Sequence, residues 1–285
     1  MKYLVLITLL LSSLVAFDFS VSNSVTSNGR TVYVEFVKEK NIQYDKLQVG
    51  KRAYRIFNHP SDDKKMYALL PISYYQKPSD KKVNIIYAHS GKRKTEKLFL
   101  KVEDGKYKKE KIKVQKSKVN PKKKEVKKRI SKEYAEAMNI YGTHTNKSYI
   151  SSKFIAPMSS KITSEFGKAR VYNDTLKGYH SGTDYRAKIG TPIVASNDGV
   201  VALVKDRFYA GGTVILDHGH GIYTCYYHMS EFSVKQGQKV QKAEVIGLSG
   251  DTGRVTGPHL HFSARVGGLQ VDPLQLIELL NRNLF

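Results

Sequence analysis

Apolar and polar residues alternate along the first part of the chain, from about residue 17 to residue 115. A period of two predicts β-strands, because successive side chains of a strand point to opposite faces. Turn-forming residues separate the runs, and the clearest runs begin at Thr31, Lys65, Val83 and Lys97. The pattern predicts a small β-sandwich-like module over residues 17–115, and no motif within it carries chemistry.

The pattern changes to a helical one at Asn120-Pro121, where Asn120 is expected to cap a helix and Pro121 to lie in its first turn. Apolar residues then recur every four positions, at Val126, Ile130, Tyr134 and Met138. This spacing predicts one narrow apolar stripe on a Lys-rich helix. We therefore expect a linker helix within residues 116–150.

Short apolar runs punctuated by Gly, Pro and Asp return over residues 151–285, and one helix is predicted to close the chain near Asp272-Pro273. The predicted fold class is therefore mainly β. An antiparallel β domain over residues 151–285 follows the sandwich-like module and the linker helix. We expect this last domain to fold by itself, from about residue 146.

The first sixteen residues have the composition of a secretory signal. Lys2 is followed by an almost unbroken apolar run over residues 3–11, and Val15-Ala16 ends in a small residue. The run is too short for a transmembrane helix, so we interpret residues 1–16 as a cleaved signal peptide rather than a membrane anchor. Without a recognisable wall-targeting repeat, the predicted location is the periplasm of a Gram-negative cell.

The formal net charge of +23 is concentrated between the two predicted domains. Residues 92–132 carry 19 Lys and Arg against 5 Asp and Glu, whereas residues 151–285 carry 15 against 11. A basic segment outside the cytosol favours anionic cell-wall polymers or lipids, and we expect no nucleic-acid partner. The one cysteine, Cys225, excludes an internal disulfide and is predicted to be a buried strand thiol.

Six of the nine histidines lie between residues 180 and 261. His180 and Asp184 flank Ser-Gly-Thr, and in an extended strand both side chains point the same way. His259 and His261, two residues apart, also share a strand face. His228 ends a third strand, and alternation places Tyr226 on the same face.

This combination suits metal-assisted amide hydrolysis. A catalytic zinc site takes three protein ligands and keeps one position for water, and a neighbouring histidine can move the proton. His180, Asp184 and one member of the His259/His261 pair make such a ligand set. The other member of that pair and His228 have the right chemistry to move the proton and to steady the oxyanion. The five other histidines are expected to be structural, surface or loop residues: His59, His89, His144, His218 and His220.

With these motifs, the segment from about residue 154 to residue 274 resembles the lysostaphin-type, or LytM-domain, zinc peptidases of peptidoglycan. All the matching motifs stand in family order. They are Thr163-Ser-Glu-Phe-Gly167, His180-Ser-Gly-Thr-Asp184, Gly190-Thr-Pro192, Asn197-Asp-Gly-Val200, Tyr226-Tyr-His-Met-Ser230, Gly247-Leu-Ser-Gly-Asp-Thr-Gly253 and Thr256-Gly-Pro-His-Leu-His-Phe262.

The resemblance implies an antiparallel β fold with Zn²⁺ in a groove. It implies that His180, Asp184 and His261 bind the zinc, and that His228 and His259 are the catalytic pair, with His259 as general base. Two tyrosines are further candidates for substrate contacts. Tyr172 is expected either to assist the oxyanion or to anchor its loop, and Tyr226 shares the predicted face of His228.

Two departures from the family pattern affect supporting residues. Ser263 stands where a carboxylate often follows the last motif, and Arg170 lies one residue further along its loop than is usual.

The resemblance implies action on the stem or cross-link peptides of peptidoglycan, as an endopeptidase with additional carboxypeptidase activity. Two other classes are open: a non-catalytic LytM-like activator of another wall hydrolase, and a carrier domain of related β architecture. The N-terminal module is expected either to position the enzyme at the wall or to contact the active-site groove. The loop carrying His59, Asp62 and Asp63 is the candidate for that contact.

Overall fold

The computed structural model describes residues 18–119, 121–143, 145–174 and 176–285. The predicted signal peptide, Asn120 and His144 lie outside these residues. Within them, neither helix has the length and apolarity needed to cross a membrane.

Nine strands build the N-terminal module in two sheets. They are β1 (Phe19–Val21), β2 (Val25–Ser27), β3 (Thr31–Val37), β4 (Ile42–Val49), β5 (Arg52–Arg55), β6 (Phe57–Asn58), β7 (Lys65–Pro71), β8 (Ser79–His89) and β9 (Lys92–Glu103). One sheet has the order β1-β3-β7-β6 and the other β2-β9-β8-β4-β5. Alternate apolar side chains of both sheets share one core, so the predicted sandwich is confirmed: Val32, Val34, Phe36, Ala68 and Leu70 meet Leu47, Val83, Ile85, Leu98 and Leu100.

The chain then leaves the sandwich through β10 (Lys109–Ile112), a short 3₁₀ turn (Lys116–Lys118) and helix α1 (Lys124–Tyr141). The linker helix is confirmed, but it begins at Lys124 and not with Pro121. Strand β10 does not pair with the sandwich. It pairs in parallel with β12 (Ala169–Tyr172) of the C-terminal domain.

The packed face of α1 differs from the predicted stripe. Its buried residues are Glu133, Ala137 and Tyr141, while Tyr134 is 64% exposed. Glu133 is held inside because its carboxylate accepts hydrogen bonds from Arg129 and from the backbone N–H of Phe208. These charge-assisted bonds rotate the helix away from the four-residue stripe.

The C-terminal domain is built on a large, mostly antiparallel sheet. Its elements are β11 (Ile162–Ser164), β12, β13 (Leu176–Tyr179), β14 (Thr183–Arg186), β15 (Pro192–Val194), β16 (Gly199–Arg207), β17 (Gly211–Asp217), β18 (Ile222–Phe232), β19 (Lys239–Val240), β20 (Val245–Ser249), β21 (His259–Val266), β22 (Leu269–Val271) and helix α2 (Pro273–Asn283). The main sheet has the order β11-β14-β21-β18-β17-β16-β19, and β12 and β13 form a separate sheet with β10. Cys225 is fully buried in β18, as predicted.

The two domains share a hydrophobic core, which the sequence did not predict. Four side chains of the sandwich, Tyr33, Phe57, Tyr67 and Leu69, pack against the end of the large sheet and α2. Side chains of this kind contribute roughly 1.5–3 kcal/mol each when fully buried. A fragment of residues 146–285 would expose the apolar face that these four side chains cover. This exposure disfavours the expectation that the fragment folds by itself.

His218, in the turn after β17, is fully buried and predicts a pH-dependent stability. Its Nδ1 donates to the carbonyl of Asp198, and its Nε2 contacts the Thr224 hydroxyl. Burial lowers its pKa from 6.5 to about 4. As pH falls, the imidazole at position 218 is protonated in the unfolded chain before it is protonated in the folded chain. The contribution of neutral His218 to the free energy of unfolding is therefore complete above pH 6.5 and is lost as pH falls toward 4.

We expect the free energy of unfolding of the metal-free chain to fall more steeply across this interval than that of His218→Gln. The difference should reach about 1.4 kcal/mol per pH unit. Urea unfolding at several pH values measures both slopes, with His89→Gln, at a half-buried site in β8, as the control. Equal slopes for His218→Gln and the unmodified chain would contradict the assignment.

Candidate active site

The site forms where β14 and β21 lie side by side. Their antiparallel register places Asp184 directly opposite His261. Directly opposed residues of paired strands project to the same face, so the carboxylate and the imidazole meet. His259 lies two residues before His261 on that face, as predicted, and His180 stands at the end of β13 just ahead of β14.

Three side chains converge to hydrogen-bond distance. Asp184 Oδ1 lies 2.8 Å from His180 Nε2 and 2.7 Å from His261 Nδ1, and these two nitrogens are 3.0 Å apart. All three residues are buried. The structure thus brings together the three side chains for which a ligand role was predicted.

The hydrogen bonds around His180 show that this cluster suits a cation. Its Nδ1–H donates to the carbonyl of Glu165 at 2.7 Å, which leaves Nε2 with a lone pair. That lone pair faces Asp184 Oδ1, so two acceptors approach each other without a proton between them. A divalent metal resolves such a conflict, and two imidazoles with one carboxylate are a donor set that zinc accepts.

Gly182 permits this close approach. A Cβ atom at this position would lie 2.3 Å from the carbonyl oxygen of Phe262 and 2.7 Å from His261 Nε2. Any larger residue would therefore displace the His261 ring. This steric requirement explains the glycine between His180 and Asp184.

The electrostatics keep the cluster in the protonation states that metal binding requires. Burial alone would raise the pKa of Asp184, but the neighbouring imidazoles of His180 and His261 hold it well below its usual range. Burial lowers the pKa of His261 to about 4, against the opposing effect of Asp184. The carboxylate is thus ionised and the His261 imidazole neutral at physiological pH.

A β-bulge brings His228 to the site. In the pairing of β17 with β18, Val214 lies opposite Tyr226 but Gly212 lies opposite Met229, so β18 carries one extra residue. His228 adopts a φ of 64°, in the left-handed region. The bulge puts His228 on the same side as Tyr227, which strict alternation would not do.

The prediction for Tyr226 is wrong for this reason. Tyr226 is fully buried in the core beside Phe262, and its hydroxyl accepts from the backbone N–H of Ser196. Its neighbour Tyr227 instead lies against the His261 ring, with a centroid distance of 5.5 Å, and lines the cavity. Because the extra residue moves His228 to the face of Tyr227, Tyr227 and not Tyr226 shares the face of His228.

His228 and His259 stand beside the three-residue cluster, with their ring centroids 4.9 Å apart. Each uses Nδ1 to donate to a backbone carbonyl, of Thr252 and Gly257 respectively. Each therefore presents an unprotonated Nε2, and that of His259 lies 3.7 Å from Asp184 Oδ1. Burial, followed by the neighbouring His259, lowers the pKa of His228 well below its ordinary value.

Arg170 supports the cluster from β12. Its guanidinium donates to Asp184 Oδ2 at 3.3 Å and to the Ser164 hydroxyl at 3.2 Å. Its Nε donates to Glu110 at 2.6 Å. Glu110 belongs to β10, so the segment that leaves the N-terminal module reaches the site through one intermediate residue.

A cavity of about 160 Å³ opens above the cluster. Tyr172 lines it, together with residues whose importance the sequence did not reveal. Six separate segments contribute, and the lining consists of Arg170, Tyr172, Tyr179, His180, Ser181, Tyr209, Ala210, Tyr227, His228, Arg254 and His261. Of these residues, Tyr227 lies in the motif Tyr226-Tyr-His-Met-Ser230, whereas Arg254 and Tyr209 lie in no motif that the sequence analysis singled out.

The other histidines lie elsewhere. His218 and His220 are buried away from the cluster. His220 Nε2–H donates to the carbonyl of Asn146, so its Nδ1 accepts from the Tyr67 hydroxyl at 2.8 Å across the domain boundary. The loop proposed to enter the groove contacts helix α2 instead: His59 Nε2 lies 3.0 Å from the carbonyl of Asn283. Within this loop, the Asp62 carboxylate lies 3.9 Å from the Lys65 ammonium group. Glu110 of β10 contacts the site through Arg170.

With this geometry in view, comparison with known proteins finds a matching family model. Residues 178–273, which contain all five clustered histidine and aspartate residues, match the model of Peptidase family M23. The C-terminal domain therefore contains a Peptidase M23 domain.

Two curated relatives and one solved structure are similar to the chain. Peptidoglycan DD-endopeptidase ShyA of Vibrio cholerae is 45% identical over 122 residues, covering 42% of this chain and 28% of its own length. DD-carboxypeptidase/endopeptidase Mpg of Neisseria meningitidis is 46% identical over 97 residues, covering 34% and 22%. A Pseudomonas aeruginosa crystal structure, provisionally assigned as a peptidase M23, is 25% identical with a TM-score of 0.68, covering 89% of this chain and 95% of that chain.

The chain thus spans between a fifth and a third of the length of these curated relatives. By contrast, it matches the Pseudomonas aeruginosa structure over nearly all of both chains. The likeness therefore extends beyond the C-terminal domain to the module that precedes it.

The contact between β10 and β12 yields a prediction. Glu110→Gln removes the charge that holds Arg170, so β12 should open more often. Amide hydrogen exchange at Val171 and Tyr172 should accelerate roughly five- to tenfold, the effect of about 1 kcal/mol. Amides of β17 in the core should exchange as before.

Glu103→Gln is the matched control, since Glu103 makes an exposed ion pair with Lys101 at 3.2 Å. Such a pair contributes little, so exchange in β12 should not change. Unchanged exchange at Val171 and Tyr172 in Glu110→Gln would show that the ion pair does not hold this strand.

Proposed function

We propose that this chain is a zinc-dependent hydrolase that cuts stem or cross-link peptides of bacterial peptidoglycan. The observation that carries the proposal is the convergence of His180 Nε2, Asp184 Oδ1 and His261 Nδ1 within 3.0 Å of one another. Two further histidines with free Nε2 atoms stand beside these donors. Three ligands and an adjacent base are the elements that metal-assisted amide hydrolysis needs.

His180, Asp184 and His261 would hold the zinc ion. When bound, the metal supplies Lewis acidity to the attacking water and to the substrate carbonyl. Arg170 and the carbonyl of Glu165 fix the orientations of Asp184 and His180 from outside the cluster. Such supporting contacts keep ligands in place and raise the affinity for the metal.

His259 is the proposed general base. Its Nδ1–H is engaged with the carbonyl of Gly257, so Nε2 is the atom that can take a proton from water and pass it to the leaving amine. His228 presents Nε2 in the same way and shares this proton with His259. Because neither ring has a free N–H, the hydroxyl of Tyr172 is the proposed donor to the developing oxyanion.

The names of the relatives support the substrate assignment. ShyA is named a peptidoglycan DD-endopeptidase and Mpg a DD-carboxypeptidase/endopeptidase. We propose endopeptidase activity with a carboxypeptidase activity beside it, in a protein exported to the periplasm. The alternative, a non-catalytic activator of another hydrolase, is disfavoured because the chain keeps both histidines that ligand binding alone would not require.

The roles of the two histidines on β21 can be separated experimentally. His261→Ala removes a ligand, so the chain should lose both zinc and activity, since two remaining donors rarely hold zinc tightly. His259→Ala should keep stoichiometric zinc while turnover falls roughly a hundredfold or more. Elemental analysis and mass spectrometry of purified muropeptide products, with and without chelator, measure both properties for the chain from residue 17 onward.

His220→Ala is the control, because His220 binds Tyr67 and stacks on Phe57 far from the cluster. It should keep zinc and turnover while its melting temperature falls. If His259→Ala loses zinc and His261→Ala retains it, the two roles are reversed. If the unmodified chain with full zinc cleaves no muropeptide, the proposed function is wrong.

A further inference from the structure

Arg254 holds an unusual position in the wall of the active-site cavity. Its guanidinium lies between two tyrosine rings, 4.4 Å from the centroid of Tyr172 and 4.6 Å from that of Tyr209. These rings come from different segments, β12 and the turn between β16 and β17. Stacking from two sides restricts the rotation of a side chain that is otherwise long and flexible.

The charge of Arg254 is not neutralised by the protein. In the part of the chain that the structure describes, no carboxylate lies within 4.0 Å of its guanidinium. The other arginine of the cavity, Arg170, is already paired with both Glu110 and Asp184. The lining itself contains no acidic side chain.

We propose that Arg254 binds a free carboxylate of the peptide substrate, in a residue adjacent to the cleaved bond. This inference rests on the proposed function and names a determinant of its specificity. A planar guanidinium forms two parallel hydrogen bonds with a carboxylate, which fixes the orientation as well as the position of the ligand. Since the tyrosines already hold the group, little conformational entropy is lost on binding.

Two kinds of carboxylate present this chemistry: the α-carboxylate at a peptide end and the carboxylate of a side chain. The guanidinium of Arg254 would recognise either carboxylate in the same way, and either would place the peptide across the cluster of His180, Asp184 and His261. A cavity of this size admits one such group beside the scissile bond. Recognition at this point would select peptides that keep the acid over those in which it is amidated.

The test uses cross-linked muropeptide dimers in three forms: with free carboxylates, with the chain-end carboxylates converted to primary amides, and with the side-chain carboxylates converted instead. One of the two amidated forms should show a KM raised tenfold or more with the unmodified chain, which identifies the carboxylate that is bound. Arg254→Gln should raise KM for the free acid by a similar factor. The KM of the Arg254→Gln variant should be the same for the muropeptide with free carboxylates and for the amidated form that binds weakly to the unmodified chain.

Arg254→Lys keeps the charge but loses the fork, so its KM should lie between those of Arg254→Gln and the unmodified chain. Arg282→Gln, on an exposed arginine of α2, is the matched control and should behave as the unmodified chain. Equal KM values of the unmodified chain for all three forms would overturn the proposal. So would an Arg254→Gln variant that still prefers the acid.

Binding without turnover separates this inference from the proposed hydrolysis. Calorimetric titration of the three muropeptide forms into the chelator-treated chain measures their dissociation constants directly. Weaker binding of one amidated form supports the role of Arg254 even if no bond is cut. Equal dissociation constants for the three forms would contradict it, whatever the activity of the zinc-loaded chain.

Discussion

The crowding of electron-rich atoms around Asp184 is the constraint on which the rest of the site depends. The pairing of β14 with β21 forces the carboxylate toward His261, and the carbonyl of Glu165 turns the His180 lone pair toward the same point. Folding alone leaves the His180 lone pair and the Asp184 carboxylate oxygen facing each other in mutual repulsion. The packing of the surrounding sheet offsets the energetic cost of this arrangement, and a bound cation converts the repulsion into attraction.

The other parts of the site are arranged around that point by departures from regular structure. The left-handed residue His228 and the bulge in β18 bring a histidine to a face that an ideal strand would deny it. Gly182 leaves room for an imidazole where any side chain would collide. Irregular backbone thus occurs where chemistry needs it, while the neighbouring core residues Tyr226 and Phe262 keep regular alternation.

Much of this could be predicted from the sequence, because local periodicity determines which face of a strand each residue occupies. The sandwich, the linker helix and the shared face of His259 and His261 follow from such patterns. The position of Tyr227, rather than Tyr226, beside His228 could not be predicted, because a β-bulge leaves no signal in the pattern of residue types. The contact of Glu110 with Arg170 also has no local signal, because sixty residues separate the partners.

The linker helix shows the same limit in another form. Its apolar stripe suggested one packing face, yet the buried Glu133 selects another through bonds to Arg129 and Phe208. The four-residue pattern takes only the apolar positions of the helix into account. It cannot anticipate a carboxylate that accepts a hydrogen bond from the backbone of Phe208, in a distant turn of the large sheet.

The hydrophobic core shared by the two domains has a consequence for how this protein can evolve. Tyr67 belongs to the same core as α2 and forms a hydrogen bond with His220, so each domain alone would expose apolar side chains at the boundary. A recombination that joined this peptidase domain to an unrelated partner would create an exposed apolar face together with an unpaired buried histidine. The two domains are therefore expected to be inherited as one unit, with substitutions on one side of the boundary matched by substitutions on the other.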